Sequence, residues 1–331
     1  MNETGLTVTI NAAKSAVPTG SATPISILTR EILQYAATID EAFAIAQKRE
    51  TFVSESILIG SAKDGKTAII EKSPEKTVLF TGKEANRLIC TNHYQSEEFS
   101  KDERNMENIR TSDSPYRFAR LTELINEDLP IDVSKAASIL RDHKGLQNTD
   151  LGLANEMTIN QFIAHHSVIF QPEKRLMWVS TSPWQCGKYV AYDLNKIFKD
   201  TIDWQHEIYS SDLTIPEDKF IDTPEFQHLL TYKKLTPLLL KKIRKKEKIE
   251  ESVLKTYQAS NPSLYYVYEV IGDYYEGMQQ PQQAIAYWQQ ALKRPIPTYP
   301  TENSKTIQRW KRILKFSSAH RKISKAIRKN S

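Results

Sequence analysis

The sequence predicts an α+β fold in which helices pack outside an antiparallel sheet. One observation behind this prediction is a series of short β-rich segments separated by Pro-containing turns, which favours antiparallel pairing over parallel βαβ units. Another is a set of segments whose apolar residues recur at helical spacing. The third is a change after about residue 196 to charged, Lys-rich sequence with few β-branched residues, which predicts a separate helical region.

The clearest strand prediction is a hairpin. Residues 57–62 and 67–71 are rich in β-formers, and Asp64-Gly65 between them supplies the positive φ that a tight turn requires. Residues 6–11 also alternate in strand fashion. Further strands are predicted at residues 77–80, 87–91, 166–170, 175–180 and 188–193.

Four helices are predicted before the second group of strands. Pro24 opens an apolar-periodic segment over residues 25–35. Thr38 and Glu41 form an S/T-x-x-E capping box, which predicts a helix over residues 40–48. Two more helices are predicted at residues 116–126 and 133–143.

Composition limits the class of protein. The 331 residues include 40% hydrophobic residues, enough for a globular core. No run of about 18 or more uncharged apolar residues is present, so we expect no stable membrane insertion. The two cysteines, Cys90 and Cys186, have no CxxC spacing, and we assign no metal and no cofactor. The sequence does not indicate a cellular compartment.

The C-terminal third carries most of the net charge of +5. Its last part, residues 305–331, holds ten Lys or Arg residues; it could bind nucleic acid or an anionic membrane, or pack an apolar stripe on the preceding helices. We favour packing and expect no nucleic-acid partner. Before it, one tetratricopeptide-like helix pair offers a surface for a protein partner, although a lone unit is more often a structural cap. The residues at that spacing are Ile271, Gly272, Tyr275, Ala284, Trp288 and Ala291.

Three polar motifs stand apart from this framework. The first is the opening MNETGLTVTIN, which begins almost directly in a strand and ends at Asn11. The second is CTNHY, residues 90–94, where an apolar run ends in a polar cluster of the kind found at the rim of a sheet. The third is SDSPYRFAR, residues 112–120, which places Arg117 and Arg120 one turn apart at a helix start.

Together these motifs resemble the family of isopenicillin N acyltransferases and the related choloylglycine hydrolases and penicillin V acylases, over roughly residues 1–195. In that family a glycine-led strand, a Thr-Asn strand end and an S-x-x-R-F helix start occur in this order. The resemblance implies a four-layer αββα N-terminal-nucleophile hydrolase sandwich. It also implies hydrolysis or transfer of an acyl group at a linear, non-peptide amide bond, with a small acylated amine or amino acid as substrate.

The same resemblance assigns three site residues. Asn92 matches the side-chain amide that donates to the oxyanion formed from the attacked carbonyl. Asn11, at the end of the first strand, matches a second oxyanion or substrate contact. Arg117 matches the arginine that orients the nucleophile and polarises the site. We expect these three side chains to converge at one rim of a sheet.

The family's nucleophile is an N-terminal cysteine whose own α-amine accepts the thiol proton, and this chain begins with Met1-Asn2. We therefore expect the C-terminal portion of such an enzyme, inactive until the missing segment completes it. The alternative is a non-catalytic remnant or binding module that interacts through its helical C-terminal region. The predicted organisation is a partial hydrolase-like domain at 1–200, a charged helical linker at 201–250 and a tetratricopeptide-like region with a basic tail at 251–331.

Two further candidate sites have simpler explanations. Cys90 and His93 could form a nucleophile–base pair, but the apolar run Leu88-Ile89-Cys90 favours a buried structural thiol. His165-His166 could suggest a metal site, but neighbours on a strand face opposite sides and no further ligand stands at suitable spacing.

Overall fold

The computed structural model describes residues 1–16, 20–84, 87–127, 129–199, 205 and 207–298. The predicted basic tail at 305–331 lies outside these residues. Contacts divide the chain into two compact units, Met1–Thr149 with Met157–Ile221, and Asp150–Glu156 with Asp222–Ser331. The described residues form two four-stranded antiparallel sheets and ten α-helices, which confirms the α+β class.

The first sheet lies in the first unit and contains its strands in chain order. The strands are β1 (Leu6–Ala12), β2 (Glu55–Ser61), β3 (Lys66–Lys72) and β4 (Thr77–Phe80). Each neighbouring pair is antiparallel, and Leu58 of β2 lies opposite Ile69 of β3. Gly65 in the connecting turn has φ of 58°, as the predicted Asp-Gly hairpin requires.

Helices α1 (Ile25–Tyr35) and α2 (Ile39–Lys48) cover the apolar face of this sheet. The capping box is present, with Glu41 N donating to Thr38 Oγ1 at 3.2 Å and Thr38 N donating to Glu41 Oε2 at 3.2 Å. Burying each aliphatic side chain of the shared core contributes roughly 1.5–3 kcal/mol. That core includes Leu6, Leu28, Ile32, Ala42, Ile57, Ile59 and Ile70.

The opening motif forms a compact turn before β1. Asn2 Oδ1 accepts from the backbone N of Leu6 at 2.9 Å, while its Nδ2 donates to Ala36 O at 2.8 Å beyond α1. Gly5 has φ of 83°, and a Cβ there would lie 2.6 Å from the Cβ of Ala62 and 2.9 Å from the carbonyl oxygen of Pro172. The motif therefore needs both a glycine and a side-chain amide to start β1 in its observed place.

Three helices separate the two sheets in the chain: α3 (Glu103–Thr111), α4 (Ser114–Glu127) and α5 (Val133–Leu140). The second sheet has the order β5 (Val168–Gln171), β6 (Leu176–Ser180), β7 (Tyr189–Asp193) and β8 (Ser210–Ile215), with the short α6 (Leu194–Ile197) after β7. Its core packs against α5 and contains Ala137, Ile169, Trp178, Tyr189, Ala191 and Ile215.

The second unit is helical, with α7 (Pro224–Arg244), α8 (Glu251–Ser260), α9 (Tyr265–Gly277) and α10 (Pro281–Ala291). Residues 150–156 belong to it because Asn261 holds Leu153 by two hydrogen bonds, accepting from its N at 3.1 Å and donating to its O at 2.7 Å. Helices α9 and α10 pack closely where Gly272 faces Trp288. Among the described residues, no helix is long and apolar enough to cross a bilayer.

Some predicted elements are wrong. Residues 87–91 form no strand, and Arg87 makes only an isolated bridge with Glu84. The backbone carbonyls that a strand would use are engaged by side chains instead, since Gln95 Nε2 donates to Ile89 O at 2.8 Å and Asn11 Nδ2 donates to Cys90 O at 3.4 Å. The helix predicted over 133–143 ends at Leu140, and β8 lies where the sequence predicts a helical linker.

Candidate functional site

Asn92 lies in a short irregular segment whose backbone is fixed by two helices. Its N–H donates to Ser114 Oγ at 2.7 Å, at the start of α4, and its carbonyl accepts from Asn108 Nδ2 of α3 at 2.6 Å. Ser114 is completely buried and Asn108 nearly so. Because both backbone polar groups of Asn92 are engaged, its side chain leaves the segment in a defined direction.

The side-chain amide of Asn92 is oriented by Arg117. Arg117 Nη2 donates to Asn92 Oδ1 at 2.6 Å, and Asn92 Nδ2 donates to Ala12 O at 3.1 Å. A guanidinium has donors only, so the amide oxygen must face Arg117. Nδ2 carries two hydrogens, and the contact with Ala12 uses one of them among the described residues. The other can be donated to a ligand.

Asn11 completes a reciprocal connection between the end of β1 and this segment. Its Nδ2 donates to Cys90 O at 3.4 Å, while Asn92 donates to Ala12 O, the residue after Asn11. The structure therefore joins Arg117 to Asn92 directly and places Asn11 against Cys90 of the same segment. Their chemical roles remain a prediction.

The two arginines of the third motif have different environments. Arg120 is 1% exposed and donates to both carboxylate oxygens of Asp142, at 2.9 and 2.8 Å, and to Glu123 at 2.8 Å. The hydrogen bond to Asp142 is the largest cause of its raised pKa. Burial instead lowers the pKa of Arg117, against a smaller opposite effect of Asp113. Arg120 thus secures α4, whereas Arg117 donates to the candidate site.

A second polar cluster borders Asn92 and joins Thr91, His93 and Ser114. His93 Nδ1 lies 2.8 Å from Ser114 Oγ and 3.2 Å from Thr91 Oγ1. Burial and then the charge of Arg117 lower the pKa of His93, so the imidazole is neutral at neutral pH. The Ser114–His93 distance suits a nucleophile–base pair, but Ser114 is completely buried and already accepts the Asn92 N–H. The cluster positions Asn92.

Neither cysteine has the properties of a nucleophile. Burial is the largest cause of a raised pKa for both thiols, to about 12 for Cys90 and about 11 for Cys186. The thiolate is the reactive form, so these raised pKa values disfavour both residues as nucleophiles near neutral pH. Cys186 is completely buried, whereas Cys90, which the sequence predicts to be buried, is only partly so.

Sequence reasoning missed the residues that support the site. Ser114 is part of the S-x-x-R-F motif and could have been found from it, since a serine at a helix start commonly makes local hydrogen bonds. Asn108 carries no comparable signal. Completely buried Glu71 of β3 is another such residue, because it accepts from the backbone N of Ser96 at 3.2 Å and thereby fixes the chain after His93. Within the described ranges, no group of three or more His, Cys, Asp or Glu residues could hold a metal ion.

The first unit is an α+β domain that presents an oriented asparagine–arginine pair beside the end of a strand. The chain belongs to the acyl-coenzyme A:6-aminopenicillanic acid acyl-transferase family, whose sequence model matches residues 1–182, more than half of the 331 residues. This confirms the resemblance that the three motifs suggest, and it associates the chain with acyltransferase-like or hydrolase-like function. No curated protein matches the chain.

Proposed function

We propose that the chain supplies the carbonyl-polarising part of a site that hydrolyses or transfers an acyl group at a linear, non-peptide amide bond. The substrate is a small acylated amine or acylated amino acid. Asn92 donates from Nδ2 to the carbonyl oxygen, which becomes negative in the transition state. Arg117 holds the amide and adds positive charge, and Asn11 provides a second contact. Removing one such donor typically costs about 3 kcal/mol of transition-state stabilisation.

The observation that carries this proposal is the 2.6 Å hydrogen bond from Arg117 to Asn92 Oδ1. If the amide rotated by 180°, it would present its oxygen to the substrate, and that oxygen would repel an oxyanion. Arg117 disfavours this alternative by holding Oδ1, and the second hydrogen of Nδ2, beyond the one given to Ala12 O, is the donor proposed for the substrate. A donor oriented in advance stabilises developing charge without reorganisation during the reaction.

The proposal requires a nucleophile other than Cys90 and Cys186. Both thiols have raised pKa values, about 12 and about 11, and therefore carry almost no thiolate near neutral pH. We therefore propose that residues 1–331 alone bind acylated amines without turning them over, and that a separate nucleophile-bearing segment completes the site.

We also propose a finer architecture for each of the two units. A four-layer αββα sandwich for the first unit is supported by its two antiparallel sheets, one packed against α1 and α2 and the other against α5. A tetratricopeptide-like region in the second unit is supported by the close packing of α9 on α10 at Gly272 and Trp288.

Binding of N-acyl amino acids to the chain tests the proposed site. Calorimetric titration of a panel of them should give saturable binding that Asn92→Asp weakens about tenfold, a change of about 1.4 kcal/mol. Asp keeps the shape and an acceptor for Arg117 but removes the Nδ2 donor. The matched control is Asn195→Asp, an exposed position of the first unit, which should bind as the wild type does.

Equal affinities for the two variants would contradict the proposed site. The better function would then be that of a binding module without catalysis, acting through the helical unit. Burial raises the pKa of both thiols of the chain, to about 12 for Cys90 and about 11 for Cys186, which favours that second candidate.

A further inference from the structure

A separate pocket lies against the segment that carries Asn92. It has a volume of about 430 Å³ and is bounded by Phe80 at the end of β4, by residues 82–84, 87–89 and 93–95, and by α3 and α4. This volume is within the range of about 300–1,000 Å³ found for small-molecule sites, and is nearly three times that of a cavity of about 150 Å³ that binds benzene. The pocket can therefore hold a ring or a medium-length alkyl chain.

The pocket and the proposed acyl-transfer site use different residues. None of Asn11, Asn92 and Arg117 lines the pocket. The next residues after two of them do, namely His93 and Phe118, whose rings are 5.7 Å apart. The same two stretches of chain thus contribute alternate side chains to two sites.

The lining combines apolar and charged side chains. Its apolar part is formed by Phe80, Leu88, Ile89, Ile109 and Phe118. Among the charged lining residues, Glu84 accepts a hydrogen bond from Arg87, so these two charges offset each other. Lys83 also lines the pocket, is exposed and adds one positive charge.

Polar groups inside the pocket are mostly engaged by the protein. Gln95 donates from Nε2 to Ile89 O at 2.8 Å, and His93 Nδ1 lies within 2.8 Å of Ser114 Oγ. Such a lining suits a ligand with one apolar body and a single anionic group. A cationic ligand would meet the uncompensated charge of Lys83, and a strongly polar one would lose hydration inside.

We propose that this pocket binds a monocarboxylic acid with an aliphatic or aromatic body. The body lies between the α3 and α4 side chains Ile109 and Phe118, and the carboxylate lies at the Lys83 end. This site does not depend on the proposed amide chemistry, because its occupant meets none of the three acyl-transfer residues.

Calorimetric titration of chain 1–331 with octanoate, and with 1-octanol as its uncharged counterpart, tests the proposal. Octanoate should bind in a 1:1 ratio and more tightly than 1-octanol. Ile109→Asp should lower the affinity for octanoate at least about tenfold, because it places a carboxylate against the ligand. Lys83→Gln should lower the affinity for octanoate several-fold and leave the affinity for 1-octanol unchanged. The control is Ile27→Asp, an exposed α1 position that should leave both affinities unchanged.

Thr122→Trp provides a second blocking variant if Ile109→Asp does not fold, because Thr122 lines the pocket and an indole there would fill it. The pocket assignment is overturned if octanoate shows no saturable binding, or if the blocking variants bind it as Ile27→Asp does. Equal affinity for octanoate and 1-octanol in the wild type would overturn the carboxylate assignment. None of these results depends on whether N-acyl amino acids bind at Asn92.

Discussion

Arg117 Nη2 lies 2.6 Å from Asn92 Oδ1 although 25 residues separate them in the chain. This hydrogen bond joins the first turn of α4 to the polar segment beside β1. Because the guanidinium is planar and donates only, it determines which atom of the Asn92 amide remains for a ligand. The consequence can be measured by changing the donor and leaving Asn92 intact.

We expect Arg117→Met to weaken binding of N-acyl amino acids about tenfold, because the Asn92 amide loses one of the two hydrogen bonds that orient it and the site loses its charge. Arg117→Lys keeps the charge without the planar donor, so its affinity should lie between those of the wild type and Arg117→Met. Calorimetric titration measures both. Wild-type affinity in Arg117→Met would show that Asn92 needs no partner to orient it.

The pH dependence of stability should report on His93. Burial, and then the charge of Arg117, lower its pKa from the usual value of 6.5. As the pH falls through 6.5, the unfolded state therefore takes up a proton before the folded state does, and stability declines toward the lower folded pKa. His93→Gln removes this contribution.

In urea titrations, the free energy of unfolding of His93→Gln should therefore fall less than that of the wild type between about pH 7 and about pH 5.5. His166→Gln, at an exposed position, is the control and should follow the wild type. The same slope in all three proteins would mean that His93 titrates alike in the folded and unfolded states.

Parts of the fold are predictable because local chemistry determines them. Asp64-Gly65 specifies a hairpin turn, and Thr38 with Glu41 specifies a helix start, whatever lies elsewhere in the chain. Residues 87–91 have the composition of a strand but form none, since side chains of Asn11 and Gln95 engage their carbonyls. Helix α3 and strand β8 are rich in polar residues, so apolar periodicity does not reveal them.

The site is predictable to a similar extent. Asn11, Asn92 and Arg117 stand in ordered motifs, so resemblance alone predicts that they converge. Asn108 contributes through a hydrogen bond to Asn92, 16 residues away, and its own sequence neighbourhood gives no signal for this role. The inclusion of residues 150–156 in the helical unit is likewise a long-range effect, because it rests on Asn261, 108 residues from Leu153.

Replacing each of the two glycines of α9 by alanine should have opposite effects on the stability of the helical unit. A Cβ at Gly272 would lie 2.4 Å from the Trp288 ring, whereas a Cβ at Gly277 would meet nothing within 4 Å. Gly272→Ala should destabilise the helical unit by about 1–3 kcal/mol through overpacking. Gly277→Ala should stabilise it by roughly 0.4–1 kcal/mol, since Ala loses less backbone entropy on folding. Calorimetry of thermal unfolding measures both, and equal effects would contradict the close packing of α9 on α10.

Chain 1–331 should release no amine from a panel of N-acyl amino acids. Its two thiols have pKa values raised to about 12 and about 11, so the fraction of thiolate at neutral pH is negligible. Chromatography of the reaction mixtures detects free amine. Turnover that Cys90→Ala abolishes would contradict this prediction and identify Cys90 as the nucleophile, whereas turnover that survives both Cys90→Ala and Cys186→Ala would identify a nucleophile of another type.

Strand β1 is the outermost strand of the first sheet. Among the described residues it pairs with β2 on one side only. Its ends are held, because Leu6 O accepts from Asn2 N at 3.0 Å and Ala12 O accepts from Asn92 Nδ2 at 3.1 Å. Its middle has no Lys or Pro, and Ile10 is 41% exposed. An edge of this kind is a template for pairing with another strand.

We therefore expect chain 1–331 to self-associate through β1. Thr9→Lys, at an exposed position in the middle of the strand, should shift the chain toward the monomer because a lysine at an edge opposes strand pairing. Thr111→Lys, exposed on α3, adds the same charge away from the edge and should leave association unchanged. Size-exclusion chromatography with light scattering measures the mass of all three proteins. A monodisperse wild-type monomer with strongly protected amides at residues 6–11 would mean that the edge is already covered, and the prediction would be wrong.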